Sequence, residues 1–155
     1  MLYSTVLFLH SWLRWGVVVL GVLTLARSLT GWLRGRDWTR SDRRLQLLFV
    51  SAFDLQLLLG LTLYTVLSPL TPRTMEAFRA SMSVSFLRFF TVEHPVMMLL
   101  ALTAAHVASA LSRRAETPRA RHRVWAVGLL VTLLFVALGI PWPGLSHGRP
   151  LFRGF

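Results

Sequence analysis

The chain has 155 residues, of which 54% are hydrophobic and only 15% charged, where soluble domains carry roughly a quarter charged residues. Its net charge of +11 comes from arginine alone, most of it beside apolar runs. That arrangement excludes a nucleic-acid surface and reads as a topology and phospholipid signal. There is no cysteine, which excludes disulfides, thiolate metal ligation and c-type haem attachment.

The predicted fold is an all-α integral membrane protein, a single domain of four transmembrane helices in an up-down bundle. The first helix is expected over about 4–26. It lacks a basic leader and a small-residue cleavage site and holds His10 and Arg14, so it reads as a retained span and not a signal peptide. A connector with Arg27, Arg34, Arg36, Arg40, Arg43 and Arg44 follows. Thr39 and Asp42 within it have capping-box spacing. The second helix is expected over about 45–67 and closes at Ser68-Pro69.

Between the second and third helices, Thr71-Pro72 reads as a helix start. Met75, Phe78, Met82, Phe86 and Phe89 then recur at three- and four-residue spacing. An outer interfacial amphipathic helix over about 72–90 is one reading. An extension of the third helix kinked at Pro95 is the other. The third helix covers about 90–112. A second connector carries Arg113, Arg114, Arg119, Arg121 and Arg123. His122 lies there and is expected to be solvated. Thr117-Pro118 should open the fourth helix, 118–140, and residues 141–155 form an outer tail. The opposite side holds Arg73, Arg79, Arg88, Arg149 and Arg153. The positive-inside rule then places the basic connectors in the cytoplasm and both termini outside. The expected location is a bacterial inner membrane, crossed several times.

Ionisable groups inside spans are costly and are functional candidates by default. At about 1.5 Å per residue, His10 and His94 come to the same level in the outer half of the bundle, on parallel helices. Two imidazoles so placed can hold a metal between them, a haem iron included. His147 and His106 are further candidate ligands. Glu93 could accept from a ligand imidazole. Arg14 lies one turn from His10 and would meet either a haem propionate or Asp54. Gly21 continues that face and admits a neighbour or a flat ligand. Gln56, Gly60 and Tyr64 form one stripe on the second helix, suited to packing or to a quinone or haem edge. His106 is turned roughly 120° from His94, so a hydrogen bond to Asp54 is its expected role.

The phrases HSWLRW (His10 to Trp15), DLQLLLGLTLY (Asp54 to Tyr64), RFFTVEHP (Arg88 to Pro95) and IPWP (Ile140 to Pro143) together resemble a family of small four-helix bacterial membrane proteins labelled cytochrome b-like. The resemblance implies haem b held by membrane histidines, with His10 and His94 at the matching positions. Relatives often carry histidine where this chain has Asp54.

The leading expectation is an electron-transfer protein with one haem b between helices one and three. Arg14 and Arg88 would meet its propionates, and a quinone or a periplasmic protein would be its redox partner. The alternatives are a cofactor-free subunit of a larger membrane complex and a copper or zinc site on His10, His94 and His147. Hydrolytic motifs are absent from the sequence. Redox catalysis by a bound haem, for example on a quinone, stays open.

Overall fold

An α-helix satisfies its own backbone hydrogen bonds, which a segment without surrounding water requires. In the computed structural model, which describes residues 1–152, each long apolar run is helical. The helices are α1 (Leu2–Arg34), α2 (Arg40–Thr62), α3 (Met75–Met82), α4 (Ser85–Arg88), α5 (His94–Arg114) and α6 (Pro118–Gly139). A π turn at Leu63–Leu67 prolongs α2. A second, Phe89–Glu93, joins α4 to α5. The result is four spans, Leu2–Arg34, Arg40–Leu67, Ser85–Arg114 and Pro118–Gly139, each long and apolar enough to cross a membrane. Arg153 and the last residues of the tail lie outside the described residues.

The first span reaches Arg34 and does not end near residue 26, because neither a proline nor a glycine in the left-handed region occurs before Gly35. Gly35 adopts φ +64°, and its N–H and that of Arg36 both bond to Gly31 O, a glycine C-cap. α2 starts at Arg40, directly behind the Thr39–Asp42 capping box. Asp42 also receives Arg27 Nε at 2.6 Å and is almost fully buried. The basic connector is thereby reduced to residues 35–39. Thr117 caps α6 through the Ala120 N–H.

His122 departs from expectation. It is fully buried, with its ring 4.8 Å from that of Trp38 and its Nε2 3.3 Å from Asp37 O. α6 starts at Pro118 as expected, but its first turn packs on α1, where Gly31 has no side chain and leaves room for the His122 ring.

The segment after the second span divides between its two readings. Thr74, not Thr71, caps α3 through Ala77 N–H. α3 leaves Met75 and Phe78 exposed, as an interfacial piece would. The chain then turns at residues 83–84, and everything from Ser85 onward extends the third span. Pro95 does not break that span. The π turn just before it alters the hydrogen-bond register where proline has no N–H to give.

α1 packs against both α2 and α6, and α5 packs most extensively against α6. Of these four neighbouring pairs, α2 and α5 are the most loosely joined. The core is built from Val17, Phe49, Phe53, Trp125, Leu129 and Val136. Small residues allow the closest approaches. A side chain at Gly128 would overlap Ala108 of α5, and one at Gly21 would press on Leu133 and Phe49. Gly21 therefore serves helix packing and no flat ligand. The substitution Gly128→Val should force α5 from α6 and cost about 1–3 kcal/mol. Thermal unfolding in detergent reads this as a lowered Tm, and an unchanged Tm would mean the contact carries no weight.

Candidate functional site

At the end of the bundle that carries both termini, the loosely joined α2 and α5 leave a cavity of about 470 Å³. This falls in the size range of small-molecule and cofactor sites, roughly 300–1,000 Å³. α1 contributes His10, Ser11 and Arg14 to its wall, and α2 contributes Phe53, Gln56 and Gly60. His94 and Met98 come from α5. Leu63, Tyr64 and Phe90 of the two π turns also line it, and π turns often mark functional sites. The Tyr64 hydroxyl donates to Thr91 O at 3.0 Å and ties one π turn to the other. A narrower recess between α2 and α5 is lined by His10, Gly60, His94 and Leu99.

The two histidines expected at one level do meet. Their ring centroids are 6.3 Å apart with the planes at 74°. The His94 ring lies with Nδ1 2.7 Å from Gly139 O, so Nδ1–H donates and Nε2 keeps its lone pair. The Gln56 amide donates to His10 O at 2.9 Å and lies 3.3 Å from His10 Nε2. His10 Nδ1 is buried with no hydrogen-bond partner among the described residues. Gly60 sits against the same ring: a Cβ there would lie 3.1 Å from His10 Cε1.

The chain after α6 folds back along one side of the cavity. Pro141 and Pro143 end the helix, and Trp142 Nε1 bonds back to Ala137 O at 2.7 Å. The tail then returns over α1, where Leu151 O accepts from Arg14 Nη2 at 2.7 Å and from Trp15 Nε1 at 2.9 Å. Phe152 stacks on Trp15. Arg149 also lines the cavity and lies over the rings of Phe86 and Phe90, a cation–π arrangement. Two guanidinium groups, Arg14 and Arg149, therefore stand at the same cavity.

Several residues singled out in the sequence are used elsewhere. Arg88 pairs with Glu93 at 2.7 Å on the surface, so neither is at the cavity. Gly139 O, not Glu93, orients His94. His147 stacks face to face on Phe89 at 3.8 Å and joins no histidine. Asp54 meets His106 at 2.8 Å and not Arg14, because α2 turns its side chain outward toward α5. Among the described residues no three His, Asp or Glu side chains gather to hold a metal ion, so the His10, His94 and His147 centre is not assembled. The sequence put Arg149 and the tail on this side of the bundle, but not at the cavity. They follow two prolines and have no periodicity, so nothing local announces where they fold back.

Cutting the chain after Gly148 removes the shared acceptor of Arg14 and Trp15. Trp15 should then become accessible to an aqueous quencher, with its emission shifted to the red, as judged by difference against a Trp15→Phe control. Unaltered quenching would mean that the tail does not shield Trp15.

Comparisons of the chain with protein-family models, curated proteins and solved structures return no match.

Proposed function

We propose that this chain is a multi-pass membrane electron-transfer protein that holds a haem b between His10 and His94, close to the end bearing both termini. The observation that carries this reading is the histidine pair. An imidazole nitrogen binds a metal at about 2 Å, so two rings sharing one ion stand with centroids roughly 6 Å apart, and these stand 6.3 Å apart. The residues fit the group in other respects. His94 is anchored through Nδ1 to a backbone carbonyl, the arrangement that fixes ligand imidazoles in metal sites. His10 has a buried ring nitrogen with no partner. The cavity is mainly apolar, and Gly60 keeps its wall clear beside His10.

Bound there, a haem b would supply one-electron chemistry, tuned by its axial ligands and its burial. The chain's own residues do the rest. His10 and His94 present nitrogen ligands from two helices. Arg14 and Arg149 offer positive charge to the two carboxylates such a group carries, the place first given to Arg88. Phe53, Leu63 and Val136 exclude water from the cavity's inner wall, and the tail lines one side. The positive-inside rule puts this end outside the cytoplasm, facing a periplasmic partner or a quinol in the outer leaflet. This is the chemistry implied by the cytochrome b-like resemblance.

A cofactor-free subunit is the second reading. It is favoured by the hydrogen bonds that His94 and Gln56 make within the bundle, which give the polar groups a structural use.

Protein expressed with ample haem and purified in detergent should show a Soret band that shifts on reduction. His10→Ala and His94→Ala should each abolish it, and His106→Ala should leave it intact. Arg14→Leu should keep the band and lower the midpoint potential, because the guanidinium favours the reduced, more negative state. The expected shift is on the order of 40 mV, about 1 kcal/mol for one electron. No Soret band in the parent protein would end the haem reading and leave the structural one.

A further inference from the structure

The seam between α2 and α5 carries a second polar feature, separate from the cavity. Asp54 Oδ1 and His106 Nε2 lie 2.8 Å apart, yet their side chains are 43% and 52% exposed. Asp54 Oδ2 and His106 Nδ1 have no hydrogen bond among the described residues. Ser51 precedes Asp54 by three residues and Thr103 precedes His106 by three, and both are exposed. Residues at that spacing share a helix face. Four polar side chains thus point outward together.

Asp54 falls near the middle of the span Arg40–Leu67, so in a bilayer this patch lies among lipid tails. Around it, Leu47, Leu58 and Leu99 are exposed and apolar. The mid-span exposed positions of α1 and α6 are apolar throughout, among them Val22, Leu23, Leu130 and Leu134. Those two helices are fit to face lipid, and the α2–α5 seam is not. A charged side chain at mid-membrane costs about 2.5–3.5 kcal/mol and normally turns into the bundle interior. Pairing relieves part of that cost, and covering the remaining donor and acceptor would relieve more.

We propose that a second copy of this chain packs on the Asp54–His106 seam about a twofold axis. The patch holds one acid and one base side by side, so a twofold rotation sets Asp54 of one copy against His106 of the other and the reverse. Such isologous contacts require a self-complementary surface. A patch of one sign would repel its own copy. Ser51 and Thr103 are small and polar, the residue types that let membrane helices approach and bond.

The chain has no cysteine, so any cysteine introduced is unique. Ser51→Cys and Thr103→Cys, oxidised in native membranes with a membrane-permeant catalyst, should cross-link to twice the monomer mass. Leu130→Cys, on α6, should not. Adding Asp54→Leu and His106→Leu together to Ser51→Cys should remove the dimer band. The exchanged pair, Asp54→His with His106→Asp, should keep it, which separates lost complementarity from lost folding. Subunit counting by stepwise photobleaching in lipid discs should give two copies for the parent. The proposal is overturned by monomer counts, by equal cross-linking at Leu130→Cys, by a dimer that survives the double leucine variant, or by a product of another mass.

Discussion

α5 and α6 come so close at Ala108 and Gly128 that a side chain at position 128 would overlap Ala108. Much of the remaining arrangement depends on that contact. α1 already lies against both α2 and α6. With α5 held hard to α6, its other face meets α2 only loosely. Close packing of backbones at small residues is how membrane helices associate, because lipid offers no hydrophobic drive between them. The loose seam is the geometric counterpart of the tight one.

That seam has different uses along its length. Toward the end with both termini it widens into the cavity, with His10 and His94 from α1 and α5 facing each other across it. Two π turns meet there and are tied by Tyr64 and Thr91. Near mid-span the same seam presents Asp54 and His106 outward. At the arginine-rich end the bundle is closed by polar contacts. Arg27, Thr39 and Asp42 form one group, and Gly31, Trp38 and His122 another. The polar residues of the spans are therefore sorted by depth into closure, outward pair and cavity.

The histidine pair was legible because depth along a helix follows from residue count alone. Two parallel helices with histidines near the same end bring them level, whatever the rotation of each helix. What count could not give was direction. Arg88 and Glu93 stand beside His94 in sequence but pair with each other on the surface. His147 returned to the right end of the bundle but found Phe89. Near neighbours in sequence point to different faces of a helix, and packing chooses which face is enclosed.

The sequence by itself determined the four apolar spans, the arginine-rich end, the caps at Thr39 and Thr117, and the common level of His10 and His94. These depend on composition, local chemistry and rise per residue, all of which act over one or two turns. Only the tertiary structure decided that Gly139 O would hold His94, that Arg149 and Leu151 would come back over Arg14, and that His122 would be buried. Those contacts join residues far apart in the chain, by 45 positions for His94 and Gly139 and 137 for Arg14 and Leu151. Their partners are set by how whole helices rotate and pack, which no local pattern encodes.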